Sequence, residues 1–217
     1  LAGVSSPARP WLKITTPDAD LNEFRNVRAW LDAGQKIIYQ IFGGSNYYHV
    51  KQQSYRDMGD FGQGPTIIDE DYEDAINCYC SPVGEYLLGV DHRGVVNTLY
   101  RNMQKTTLQL VEKFGLKGVP TEVQYAYERG DYQAPFELLH AAEPNFMRVD
   151  GMRGPRGLPF MNAYIAPGCS DVDGNNVLLV SGYNENPISA PRWEVQPGDV
   201  YGYGCGTLAL PAAKSLQ

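Results

Sequence analysis

The chain has 217 residues, 43% of them hydrophobic and 20% charged, with a net charge of −7. That is enough for one large domain or two small ones with a real core. No run of Lys and Arg forms a basic stripe, so capture of nucleic acid by clustered cations is not expected, although an acidic wall suits a conduit that must not stick.

Four cysteines, Cys78, Cys80, Cys169 and Cys205, make no disulfide framework and no Cys-x-x-Cys site. They read as reduced structural residues, consistent with assembly in a reducing cytoplasm. No apolar run reaches the ~20 residues of a membrane span, and no leader peptide is evident. The sequence starts at Leu1 without Met and stops at Gln217 inside an opening helix pattern, so a piece of a longer protein is expected.

Residues 1–19 carry Pro7, Pro10 and Pro17 with Trp11 and Ile14 as apolar anchors, which predicts an extended arm or edge strand. Residues 20–60 read as helical. Leu21, Phe24, Val27, Leu31, Ile38 and Ile41 recur at helical spacing, with Asp20 as N-cap and Glu23 completing a capping box. Gly43-Gly44 ends that helix, and Ser45 is expected to cap a second one running to about Met58.

Residues 64–206 read as mainly β with inserted helices. Strands are expected at 65–69, 75–80, 85–90 and 95–103, with a hairpin turn at Asp91-His92-Arg93-Gly94. Thr106 and Gln109 form a capping box for a helix with Leu108, Val111 and Phe114 on its inner face, ending at Gly115. A short helix follows over 120–129, then strands at 136–142, 159–165, 176–180 and 190–195. Residues 146–158 lack any apolar period and predict a mobile loop. Residues 207–217 begin a further helix. Helices first and a mostly antiparallel sheet afterwards argue α+β, in one region over 1–217.

Sites of chemistry are sparse. His49, His92 and His140 fall on a helix, a turn and a strand, and no Gly-x-Ser-x-Gly elbow accompanies them. His92 reads as a turn residue and His140 as a strand residue with a satisfied ring nitrogen. A hydrolase built on Cys78, Cys80 and His140 is the enzymatic alternative, and a generic adaptor or binding module is another. The acidic stretch at 69–74 lacks the order of a calcium loop and reads as a solvated turn. Gly202, Gly204 and Gly206 precede a helix; a tight turn for close packing is favoured over an anion site. No catalytic residue, metal ligand or cofactor site is expected.

Two clusters suit contact with partners. Arg148, Arg153 and Arg156 lie in the 146–158 loop, where a solvated loop and a contact to DNA or a partner's carboxylates are both open. Arg192 and Trp193 pair a cation with a large aromatic, as interface hot spots do.

Five ordered segments resemble the head-to-tail connector (portal) family of short-tailed phages. They are SSPARPWLKITTPDADL (5–21), SNYYHVKQQSYRDMGDFGQGPTIIDED (45–71), PVGEYLLGVDHRGVVNTLYRNMQKTTLQLVEKFG (82–115), LLHAAEPN (138–145) and SAPRWEVQPGDVYGYGCGTLALPAAKSLQ (189–217). The resemblance implies a structural subunit with a wing-like fold from the N-terminal part of a portal. It implies a ring, usually of twelve copies, at a capsid vertex, assembled in the host cytoplasm and carried in the virion. Double-stranded DNA would pass through the ring without sequence specificity. The terminase large subunit, capsid or scaffolding protein and tail or adaptor proteins would be the other partners, with no membrane. Arg192, Trp193 and Tyr201 become candidates for contacts between subunits.

Overall fold

The computed structural model describes residues 10–171 and 174–215. The first half of the expected arm, 1–9, and the last two residues of the expected final helix lie outside them. The architecture is α+β, helices first and antiparallel strands after. In chain order a 3-10 turn (Leu21–Glu23) leads to α1 (Arg25–Gly44), α2 (Tyr47–Phe61), β1 (Thr66–Asp71), β2 (Ala75–Cys80), β3 (Tyr86–Val90) and β4 (Val96–Thr106). Then come α3 (Thr107–Phe114), α4 (Thr121–Glu128), β5 (Pro135–Pro144), β6 (Phe160–Ile165), β7 (Val177–Tyr183), β8 (Ile188–Ser189) and α5 (Cys205–Ser215). The chain divides into two compact units. One holds the described residues up to Cys80 with Ser189–Val195 and those from Gly202 onward; the other holds Ser81–Ile188 and Gln196–Tyr201.

In the first unit, Tyr39, Gln35 and Tyr48 hold the arm by hydrogen bonds. The Tyr39 hydroxyl accepts the N–H groups of Trp11 and Leu12, both at 2.7 Å, and donates to the Leu12 carbonyl at 3.1 Å. Trp11 stacks on Phe42, and Phe42 on Tyr47. The Asp20 capping box does not form, because a neighbouring turn takes over its donors. The Asp18 carboxylate accepts the Asp20 N–H at 3.0 Å, Asn22 ties back to the Thr16 and Asp18 carbonyls, and the N-cap of α1 falls four residues later, on Phe24. Ser45 closes α1 through its own N–H to Ile41, and its hydroxyl also accepts the N–H of Tyr47, the first residue of α2, at 3.3 Å, while Asn46 takes the N-cap position itself.

Asn46, which precedes α2, spends its side chain on β2. Its amide oxygen accepts the Cys78 N–H and its amide nitrogen donates to the Cys78 carbonyl, both at 2.8 Å. The side-chain amide thus imitates a strand partner. β1 and β2 pair with Thr66 opposite Cys80 and Ile68 opposite Cys78. Period-two alternation puts both cysteines on one face, buried with Val50 of α2.

The strand expected at 190–195 is not one. Pro191 has no N–H to give, and the segment makes a single bridge, Gln63 to Arg192. Its neighbours are glycines. Gly62 ends α2 at φ +95. A Cβ there would lie 2.2 Å from the Gly202 carbonyl oxygen, and one on Gly204 would lie 2.5 Å from the Gly62 nitrogen. The glycine series before α5 is therefore a close-packing device, as its spacing suggests.

The second unit is a five-stranded antiparallel sheet in the order β3-β4-β5-β6-β7. Asp91 makes the β3–β4 turn by accepting the N–H groups of Arg93 and Val95 at 2.9 and 2.8 Å. α3 carries the Thr106–Gln109 capping box. Met103, Leu138 and Tyr164 from the sheet pack with Leu110, Val119 and Val123. Leu108 faces outward, and Thr107 takes the inner position because its hydroxyl reaches the Ala134 carbonyl at 3.4 Å. On the opposite face, register aligns Leu87, Tyr100, Ala141, Ala163 and Val180 in one row across all five strands.

Gly62→Ala is expected to cost ~3 kcal/mol, from a backbone clash added to left-handed strain. Gly94→Ala, at φ +77 with open space around it, is expected to cost ~1 kcal/mol. Urea unfolding of the two variants measures the difference.

Candidate assembly interface

Backbone hydrogen bonds on both sides fix the segment that carries Arg192 and Trp193. Gly64 N–H donates to the Pro191 carbonyl at 3.3 Å, and Trp193 N–H donates to the Gly62 carbonyl at 2.8 Å. On the other side Tyr203 N–H donates to the Glu194 carbonyl at 2.7 Å. The Gln63 side-chain oxygen accepts the Gly202 N–H at 3.1 Å. Arg192 is half-buried, yet the Trp193 side chain remains 48% exposed. A large aromatic on an immobilised backbone loses little entropy when a partner covers it.

Tyr201 sits elsewhere, in the second unit. Its hydroxyl accepts the Leu88 N–H at 3.1 Å. Leu88 lies on β3, an edge strand. Tyr201 thus fills one of the open donors that make a sheet edge prone to pair with another chain.

The loop after β5 is more ordered than its composition suggests. The Asn145 N–H donates to the Pro159 carbonyl at 2.8 Å, and its side chain donates to the Pro155 and Leu158 carbonyls. Val149 N–H donates to the Arg156 carbonyl at 2.8 Å. Arg148 donates to the Gly157 carbonyl at 3.0 Å and pairs with Asp150 at 3.1 Å. Arg153 and Arg156 are exposed. One asparagine, invisible in a Gly- and Arg-rich composition, therefore stitches the loop shut.

A polar chain runs through the buried face of the large sheet. Register places Arg101 opposite His140 and His140 opposite Tyr164. Arg101 Nε and Nη2 lie 2.9 and 2.7 Å from His140 Nδ1. A guanidinium only donates, so Nδ1 must be bare and the ring proton sits on Nε2. Nε2 then donates to Asn162 Oδ1, and Asn162 Nδ2 donates to Ser181 Oγ at 3.0 Å. The imidazole stacks on Tyr164 at 4.3 Å, and Lys113 Nζ donates to the Tyr164 hydroxyl at 2.8 Å. Burial, then the Arg101 charge, push the His140 pKa down to about 3. Both ring nitrogens are engaged, where the sequence reading expects a satisfied ring nitrogen, and the ring stays neutral. Sequence reading singles out His140 but does not join it to Arg101, because nothing local reveals that β4 and β5 pair in this register.

The cysteines are equally committed. Cys80 is buried, with its thiol donating to Asp57 at 3.6 Å. Burial, then the Asp57 charge, raise its pKa to about 11, which keeps it a protonated, poor nucleophile. Burial also raises the Cys78 thiol. A pocket of about 80 Å³ lies beside it, lined by Tyr47, Val50, Lys51, Thr66, Ile68, Cys78 and Ser189. Small-molecule sites start near ~300 Å³. Among the described residues no group of three or more His, Cys, Asp or Glu side chains could hold a metal, and no helix is long and apolar enough to cross a membrane.

His140 makes stability depend on pH with a definite sign. Its folded pKa lies below the usual value near 6.5, so the unfolded chain binds the extra proton and stability falls as pH falls through that window. The slope is expected to grow from about 0.7 kcal/mol per pH unit at pH 6.5 to about 1.3 at pH 5. His140→Gln removes that slope whatever its effect on absolute stability, as urea melts across the range would measure.

A family described as bacteriophage head to tail connecting protein matches residues 1–217. The portal protein of Salmonella phage epsilon15 is 38% identical over 218 residues, a match spanning 100% of this chain and 39% of that protein. The probable portal protein of Bordetella phage BPP-1 is 35% identical over 217 residues, again covering 100% of this chain and 39% of the relative. The chain therefore spans well under half the length of these curated relatives. With its whole length matched, the chain belongs to the bacteriophage head to tail connecting protein family.

Proposed function

We propose that this polypeptide is a structural subunit of a phage portal. In this reading, copies form a ring, usually of twelve, at one capsid vertex in the virion. DNA enters through the ring during packaging and leaves through it during ejection. The terminase large subunit, capsid or scaffolding protein and tail or adaptor proteins bind the same ring. The described residues supply the outer, wing-like part. The observation that carries the reading is the family match over every residue, together with two relatives named as portal proteins.

The chemistry of the side chains supports an assembly role without covalent catalysis. A hydrolase needs a basic imidazole next to an activated nucleophile. His140 offers one nitrogen to Arg101 and the other to Asn162. Cys80 is held as a thiol beside a carboxylate. The exposed, backbone-fixed Trp193 suits a contact between copies, and its neighbour Arg192 supplies a cation at the same place. Net charge of −7 suits a wall that DNA slides past.

Electron microscopy of the full-length protein tests the reading: closed rings are expected, and a protein that stays monomeric under assembly conditions would sink it. Trp193→Ala is expected to weaken assembly by ~2 kcal/mol per interface. Its effect on unfolding of the isolated subunit is expected to be about 2 kcal/mol, from the half of the indole that the subunit already covers. Sedimentation against protein concentration, paired with urea melts, separates the two quantities.

A further inference from the structure

Two turns of this chain project side chains that a lone copy leaves in water, and they carry opposite charge. The first is the loop after β5. Phe146 and Met147 stand 87% and 86% exposed there, with Val149 and Met152 exposed nearby. Three arginines share the loop with one carboxylate, Asp150. The Asn145 and Val149 hydrogen bonds hold the backbone below them. Large apolar side chains displayed on a fixed backbone are poorly used by a monomer and well prepared for a partner.

The second is the β1–β2 turn. Asp69, Glu70, Asp71, Glu73 and Asp74 place five carboxylates within six residues, and the remaining one, Tyr72, is fully exposed. This turn is also built. Asp71 Oδ1 accepts the N–H groups of Glu73 and Asp74 at 2.7 and 3.2 Å. Ala75 closes it at φ +67, a left-handed conformation that strains a residue with a Cβ.

We propose that the arginine loop of one copy docks on the acidic β1–β2 turn of the next. Arg153 and Arg156 meet Glu70, Glu73 and Asp74, while Phe146 and Met147 cover Tyr72. The argument for a second copy as occupant is charge complementarity: a cationic surface and an acidic surface are both present on every chain. Unlike surfaces that fit each other make a head-to-tail contact, the kind that closes a ring. Pairing of like turns is suppressed by repulsion, which sets the register. DNA is a poorer occupant of the loop, because a phosphate backbone has no use for Phe146 and Met147. The proposal rests on the ring reading above.

The test uses the full-length protein at low salt, with ring fraction measured by sedimentation and electron microscopy. Arg153→Glu with Arg156→Glu is expected to lower the ring fraction about tenfold, and Glu73→Lys with Asp74→Lys to do the same. All four substitutions in one chain are expected to restore rings, which also shows that the variants fold. Rings unaffected by either pair, or a fourfold variant no better than the pairs, overturn the contact. Intact rings that lose only DNA retention assign the loop to DNA and overturn it too. A wild-type protein that forms no rings overturns the ring reading itself, and this contact with it.

Discussion

At the end of α2 backbone meets backbone, and not even a methyl group fits between. Gly62 and Gly204 approach so closely that a Cβ on either would overlap the other's segment. That contact brings the start of α5 against the end of α2. It also fixes both sides of the ribbon that carries Arg192 and Trp193. Remote parts of the sequence, near residues 62, 192 and 202, thereby become one surface. Glycine is required here for space as much as for dihedral freedom.

The large sheet solves a different problem, that of a buried cation. Arg101 is only 4% exposed. Removing a guanidinium from water is costly unless its donors are satisfied. A neutral histidine is a suitable acceptor because it presents a bare nitrogen to the cation and passes its own proton to Asn162. The order of the chain, cation to imidazole to amide to hydroxyl, gives Arg101 Nε and Nη2, His140 Nε2 and Asn162 Nδ2 an acceptor in turn. Its value is specificity: a shift of one residue between β4 and β5 would turn His140 to the opposite face and strand the arginine.

Assembly asks for surfaces, and the molecule spends its ionisable groups accordingly. In the interior Arg101 is tied to His140, and the Cys80 thiol to Asp57. Outside, two charged clusters lie in turns stiffened by Asn145 and Asp71 side chains that imitate backbone. Tyr201 shows the complementary device, a side chain that closes a sheet edge where unplanned pairing would begin.

Much of the fold was legible in the sequence because its signals are local. The Thr106 capping box, the Asp91 turn, the shared face of Cys78 and Cys80 and the order of helices before strands depend on residues a few positions apart. The family membership was legible for the same reason, from five ordered segments. Where a local signal failed, a nearby competitor had won: Asp18 displaced Asp20, Asn145 ordered a loop of arginines and glycines, and Pro191 emptied a strand pattern. Tertiary structure alone decided that Arg101 meets His140, that Tyr201 caps β3 and that residues 191–194 lie between two glycine segments. Such pairings depend on register and on close approach between distant positions, and a chain of side-chain types carries no measure of distance.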